Sequence, residues 1–124
     1  MIRAYYLFTG KDGNSHVTRG SLALGETIGV DTILFRETPP HSSLEWHEAP
    51  TTQYVITLAG VLEFTTRSGE TFSINPGEIL IAEDTAGTGH EWRLTNDQPW
   101  RRAYVAFKPG TKVNFKPDQP AAVH

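Results

Sequence analysis

Short runs of β-branched and aromatic residues recur along the chain, and clusters of glycine, proline, asparagine or aspartate close them. No long segment repeats apolar residues at helical spacing. This pattern is typical of a sandwich or barrel of short strands, so we expect an all-β protein. The chain has 124 residues, of which 38% are hydrophobic, and this can fill one core but not two. We therefore expect a single domain over residues 1–124.

Turn residues divide the predicted strands from one another. Gly60 interrupts the longest strand-like segment, and we expect a bend or bulge there because glycine lets a strand curl. We expect N-terminal strands in residues 1–26, the core of the domain in about 27–107, and an irregular tail in 108–124 with 113–115 along a sheet edge. The predicted strands cover residues 2–8, 15–24, 27–37, 53–66, 70–74, 79–82, 90–94 and 100–107.

Charge and composition exclude several classes of partner and site. The formal net charge is -3, and the Lys and Arg residues are scattered, so no basic face is available for nucleic acid. Cysteine is absent, so any metal must use nitrogen and oxygen ligands. No apolar stretch approaches a membrane span, and residues 1–10 lack the pattern of a signal peptide. We expect a cytoplasmic protein that binds neither nucleic acid nor a membrane.

His47, Gln53 and His90 are polar residues that fall on different predicted strands or strand edges. Two imidazole nitrogens and an amide oxygen can bind a divalent cation such as Zn, Fe, Ni, Mn or Cu. The set lacks a carboxylate, so two alternatives remain open: one bound divalent transition metal, or none. Without a metal, His47 and His90 are the candidate catalytic residues, because an unperturbed imidazole pKa of about 6.5 suits a general acid or base.

The spacing of these residues resembles that of the cupin superfamily. The first cupin motif holds two histidines, a glutamate and a closing glycine, and the second holds a Pro-Gly turn, a strand and a histidine. The resemblance extends over about residues 27–107, and it is close to a group of small single-domain bacterial cupins. The matching positions are His47, Ala49, Gln53 and Gly60 in the first motif, and Pro76-Gly77 and His90 in the second.

The resemblance implies a double-stranded β-helix, which is a jelly-roll barrel with its site inside the barrel mouth. Such proteins are usually dimers, and small open sandwiches commonly cover an edge strand by pairing, so we expect a homodimer. Two positions depart from the family pattern. Ala49 removes one usual metal ligand, and Gln53 replaces an anionic ligand by a neutral one. The loop before His90 is longer than usual, so Asp84 is either a substitute carboxylate at the pocket or a turn residue.

Further residues are expected around the site. Aromatic residues are candidates for its wall, and an arginine, Arg36 or Arg102, is a candidate for anchoring an anionic substrate. Alternation along the strand from Gln53 places every second residue on the face of the site and Tyr54, Ile56 and Leu58 on the other face. The expected pocket residues are Trp46, Val55, Thr57, Trp92, Tyr104, Arg36 and Asp84, with Arg102.

Two functions remain open for such a pocket. The first is a small-molecule site at the barrel mouth in which His47, Gln53 and His90 bind a divalent transition metal. If that protein is an enzyme, the resemblance implies a metal-dependent dioxygenase, isomerase or lyase. The second is a metal-independent module that binds or senses a small ligand and uses the same residues as hydrogen-bonding groups.

Overall fold

The computed structural model describes residues 1–47 and 49–118. These residues form β-strands and no helix, so the all-β prediction is confirmed. Within this part of the chain, no helix is long and apolar enough to cross a membrane. The end of the predicted tail, residues 119–124, lies outside the described residues.

The strands begin and end close to the turn residues that the sequence places between them. Alternation of buried and less buried positions is clearest in Leu62–Thr66, Thr71–Ile74 and His90–Leu94. The strands are β1 (Arg3–Thr9), β2 (Ser15–Leu22), β3 (Val30–Thr38), β4 (Ser43–His47), β5 (Gln53–Ala59), β6 (Leu62–Thr66), β7 (Thr71–Ile74), β8 (Ile79–Glu83), β9 (His90–Leu94), β10 (Trp100–Phe107) and β11 (Phe115–Pro117).

The strands form two sheets. The larger has seven strands in the order β11-β2-β1-β8-β5-β10-β3, and the smaller has four in the order β4-β9-β6-β7. The strand β1 pairs with β8 in parallel, whereas the other pairs among the described strands are antiparallel. The architecture is a β-sandwich, and it is compatible with a jelly-roll fold.

Gly60 is the point at which the chain passes from one sheet to the other. Its φ of 93° lies in the region that favours glycine. A Cβ atom there would lie 2.9 Å from the Pro99 carbonyl oxygen and 3.1 Å from the Trp100 Cα, so a side chain has no room. The predicted bend is confirmed. It divides the expected long strand into β5 in the larger sheet and β6 in the smaller.

The two faces of the larger sheet enter different apolar clusters. Val55 and Leu80 join the core between the sheets, together with side chains from the smaller sheet such as Phe64. Tyr54 and Ile81 belong to a second cluster on the outer face. The alternation predicted from Gln53 is therefore confirmed, and β8 is buried on both faces, as its continuous apolar run predicts.

Three boundaries differ from the prediction. The strand expected from residue 27 begins at Val30, because Ile28 packs against the outer cluster instead. The edge segment expected at residues 113–115 is shifted to β11, which pairs with β2 and accommodates Pro117 because it lies at the edge of the sheet. Residues 43–47, for which the sequence predicts no complete strand, form β4 and pair with β9.

Strand β3 lies at one edge of the larger sheet and is largely exposed. Three consecutive apolar side chains, Ile33, Leu34 and Phe35, are 58%, 49% and 66% exposed. Ile33 and Phe35 share one face of this edge strand and Leu34 points to the other, because side chains alternate along a strand. An exposed apolar edge is a common place for association. The homodimer stays a prediction, and β3 is the surface on which a substitution can test it.

Candidate functional site

A cavity of about 460 Å³ opens between the two sheets. Apolar and aromatic side chains form most of its wall, and a few polar groups converge on it, which is the usual composition of a small-molecule site. The structure brings many of the predicted residues around this one cavity. Those are His47, Gln53, His90, Val55, Trp92, Tyr104, Arg36 and Arg102.

His90 is held by a buried carboxylate. Its Nδ1 lies 2.5 Å from Oδ2 of Asp84, which also accepts a hydrogen bond of 2.7 Å from the Ser15 hydroxyl. Asp84 follows β8 and has no solvent exposure, and His90 begins β9 with 4% exposure. A neutral imidazole that donates through Nδ1 leaves a lone pair on Nε2. Asp84 therefore lies behind His90, and the residues that line the cavity do not include it.

His47, at the end of β4, is held in the same tautomer by a backbone group. Its Nδ1 lies 2.8 Å from the Glu45 carbonyl oxygen, which can only accept a hydrogen bond. Burial lowers the pKa of the imidazole below its ordinary value, and the nearby His90 ring adds to that shift, while the hydrogen bond to Glu45 opposes it. The His47 ring is thus neutral at pH 7, with its Nε2 unprotonated.

The two imidazoles are neighbours. His47 and His90 face each other across the β4–β9 pair, with ring centroids 4.3 Å apart and planes inclined by 61°. Both Nδ1 atoms are already bound to acceptors, so each ring keeps Nε2 for another partner. Two imidazole nitrogens held in place on adjacent strands are a suitable pair of metal ligands when they are unprotonated.

Gln53 lies at the same end of the cavity as the histidines. It is paired with Ala82 in β8, two residues before Asp84, which holds His90. Its side chain is 7% exposed and lines the cavity, and no hydrogen bond of its amide to another described residue is found. Ala49 lines the cavity as well, where the cupin pattern has a histidine.

The donor set can be compared with what a metal requires. Within residues 1–47 and 49–118, no group of three or more His, Cys, Asp or Glu side chains is arranged to hold a metal ion. A metal here therefore depends on two imidazole nitrogens and the amide oxygen of Gln53. Neutral nitrogen and oxygen donors of this kind suit a divalent transition metal chemically, and such a set would bind it more weakly than a set with a carboxylate.

Trp46 and Thr57 are not among the residues that line the cavity. Because side chains alternate along a strand, Trp46 points away from the face that its neighbour His47 uses. The Arg67 guanidinium lies 3.9 Å from the centroid of the Trp46 ring. Thr57 has the expected parity, but its hydroxyl lies beneath Trp100 and accepts a hydrogen bond of 3.2 Å from the indole nitrogen.

The cavity wall also contains residues that the sequence did not single out. Trp100 packs against Trp92 with ring centroids 4.7 Å apart, and Phe64 lies 5.8 Å from the His90 ring by the same measure. Tyr104 and Trp100 are four residues apart in the last long strand, so alternation places both side chains on the same face. The sequence therefore carried a signal for Trp100. The contact between Ser15 and Asp84 had no such signal, since the two residues are far apart in the chain.

Comparison with known proteins does not assign the chain to a family. No family model matches the chain, and no curated protein is significantly similar to it. The function is therefore inferred from the residues around the cavity and their geometry.

Proposed function

We propose that this protein is a cupin-type barrel whose cavity binds a small organic molecule and one divalent transition metal, with His47, Gln53 and His90 as the metal ligands. The observation that carries the proposal is the shared arrangement of the two neighbouring imidazoles. Each ring is fixed by a hydrogen bond at Nδ1, which leaves its Nε2 for another partner. The two-sheet architecture and the spacing shared with cupins support the family assignment.

A metal bound there would supply Lewis-acid chemistry to a small molecule beside it. The chain itself would orient and shield that molecule. Asp84 holds the His90 ring in one tautomer and orientation, as carboxylates behind metal-binding histidines do. The aromatic side chains of Phe64, Trp92 and Trp100 line the cavity and would shield part of a bound molecule from water.

A metal-free alternative is favoured by the same buried contact. A carboxylate that accepts from Nδ1 of a histidine stabilises the imidazolium that forms when Nε2 takes a proton. The Asp84–His90 pair is therefore also the arrangement of a general base that faces a ligand cavity. In that function, His90 acts on a bound molecule directly, and His47 is a hydrogen-bonding group.

Metal titration distinguishes the two functions. The protein is purified without chelator, its metal content is measured, and Ni²⁺, Zn²⁺, Mn²⁺ and Fe²⁺ are then titrated by calorimetry. We expect one ion per chain for the wild type and a loss of binding in His47→Ala and in His90→Ala. His41→Asn is the control, because His41 is an exposed histidine with a positive φ that asparagine tolerates.

Two outcomes would count against the metal function. If both histidine variants bind metal as the wild type does, the ligands are elsewhere. If the wild type binds no metal, the general-base function is favoured on one condition. The His90→Gln variant must differ from the wild type in its reaction with a bound ligand, while its melting temperature stays close to that of the wild type.

A further inference from the structure

Arg102 is a buried cation, and no carboxylate of the described residues pairs with it. The residue is 6% exposed and lines the cavity. Of the carboxylates in the described part of the chain, none forms an ion pair with it. Removing a charge from water without a counter-charge is costly, so a buried arginine that faces a cavity indicates that an anion completes the site.

Three of the five donors of the guanidinium are already used. Nε donates to the Tyr104 hydroxyl at 3.1 Å, and Nη1 donates to the Thr38 hydroxyl at 2.5 Å and to the Trp100 carbonyl at 3.2 Å. These acceptors are neutral, so they orient the guanidinium without neutralising it. Nη2 has no bond to a described residue and is not closed off from solvent, which leaves its two N–H groups for a ligand.

The Tyr104 hydroxyl adds a donor at the same place. Its oxygen accepts from Arg102 Nε, so its own proton stays free for another acceptor. Tyr104 also lines the cavity. The guanidinium and the phenol therefore both offer hydrogen-bond donors to the cavity. A ligand bound between them must supply the acceptors.

A second arginine lies opposite the first. Arg36 of β3 is paired with Arg102 of β10, and both line the cavity. The next pair along these strands, Glu37 and Arg101, forms an ion pair of 2.8 Å. The same two strands thus hold a compensated pair on one face and two cations on the other. Like charges that face each other across strands are destabilising, so an anion between them would stabilise this arrangement.

We propose that this end of the cavity binds the carboxylate of a small organic acid with an apolar body. The inference deepens the proposed function and depends on it, because it assumes that the cavity holds a small molecule. The Arg102 guanidinium lies 3.9 Å from the Trp100 ring centroid, so that ring covers one face. The edge that remains offers N–H donors in one plane, and a planar carboxylate can accept hydrogen bonds from them.

The position of Arg102 also orients the ligand. Arg102 is paired with Thr57 of β5, and Gln53 lies four residues away along that strand, a separation of about 13 Å. His90 is at the Gln53 end, and aromatic side chains line the wall between. The acid would therefore place its carboxylate at Arg102 and direct its other end toward the histidines.

The test compares 3-phenylpropionate with its uncharged amide, 3-phenylpropionamide, and with phenyl phosphate. Binding is followed by calorimetry and by tryptophan fluorescence, on chelator-treated protein so that a metal cannot bind the carboxylate. We expect the wild type to bind the carboxylate at least about tenfold more tightly than the amide, which is the usual effect of a hydrogen bond to a charged group. Arg102→Met should abolish that preference, and Arg101→Met should leave it unchanged.

Each other outcome has a definite meaning. No saturable binding of the carboxylate to the wild type, equal affinity for carboxylate and amide, or an unchanged preference in Arg102→Met overturns the proposal. Tighter binding of phenyl phosphate than of the carboxylate overturns the carboxylate assignment. If Arg102→Met does not fold, Arg102→Lys takes its place, and we expect a severalfold loss of the preference because lysine lacks the planar fork.

The metal titration is run separately on untreated protein, so the two proposals fail separately. Metal binding without a preference for the carboxylate would overturn only the proposal of an anion site. A preference for the carboxylate without metal binding would overturn only the proposal of a metal site.

Discussion

The Nδ1 atom of His90 lies 2.5 Å from a carboxylate oxygen of Asp84, and both residues are buried. The same oxygen accepts from Ser15, whereas the other oxygen, Oδ1, is buried without a hydrogen-bond partner among the described residues. Of the side chains that line the cavity, the buried carboxylate is hydrogen-bonded to His90. It is a positioning residue, and its contribution can be measured without changing any residue that lines the cavity.

Asp84→Asn keeps the size of the side chain but removes its charge. We expect metal affinity to fall by about 10- to 100-fold, the usual effect of losing the partner of a metal-binding histidine. Calorimetric titration measures the change. Ser15→Ala is the control, since it removes the other hydrogen bond to Asp84 and leaves the contact with His90 in place. An equal loss in both variants would mean that general destabilisation, not His90 orientation, is the cause.

Gln53→Glu exchanges a neutral oxygen ligand for an anionic one of the same shape. If Gln53 contacts the metal, affinity should rise by about tenfold or more, because a carboxylate is the stronger ligand for a divalent cation. Gln98→Glu, on the exposed surface, is the control for the change in net charge. The same titration compares the variants, and an equal gain in both would exclude Gln53 as a ligand.

Gly60→Ala should destabilise the fold by about 2 to 4 kcal/mol. The reasons are its φ of 93° and the short approach of a Cβ atom to the Pro99 carbonyl. Gly69→Ala is a matched control, because Gly69 has a φ of 89° but nothing within 4 Å of its Cβ position. Urea unfolding should show a cost of about 1 to 2 kcal/mol for Gly69→Ala. Equal costs would mean that the close approach at Gly60 contributes nothing.

His16 gives the protein a pH-dependent contribution to stability. Its ring contacts Asp12 at 2.9 Å and Glu70 at 2.7 Å, and these carboxylates, Asp12 first, raise the pKa of the imidazole. The contribution is fully present below the unfolded pKa of about 6.5 and is lost as the pH rises through the folded pKa. Unfolding free energies of the wild type and His16→Gln should therefore converge as the pH is raised above about 6.5. A difference that stays constant with pH would contradict this.

Much of the fold could be predicted from local pattern. Alternation in β5 separates Val55 from Tyr54 and assigns them to different clusters, and glycine at position 60 indicates a bend. Local pattern does not show that the chain changes sheets at that bend. The change depends on which strands pair across long separations, and neither composition nor alternation specifies those partners.

The candidate site could also be predicted only in part, because the sequence shows alternation along a strand but not contacts between distant residues. His47, Gln53 and His90 line one cavity, as their placement on separate strands predicts. Trp46 does not line it, although it is adjacent to His47, because neighbouring residues in a strand face opposite ways. Asp84 lies behind His90 and also accepts a hydrogen bond from Ser15, and the sequence carries no signal for a contact over that second separation.

The most direct measurement is anomalous diffraction from crystals of the protein grown with Ni²⁺ or Zn²⁺, because it locates the ion. We predict one anomalous peak in the cavity, with the Nε2 atoms of His47 and His90 within about 2.0 to 2.2 Å of the ion and the Gln53 amide oxygen on a third side. An empty cavity at saturating metal, or a peak only at surface groups such as His16, would contradict the account.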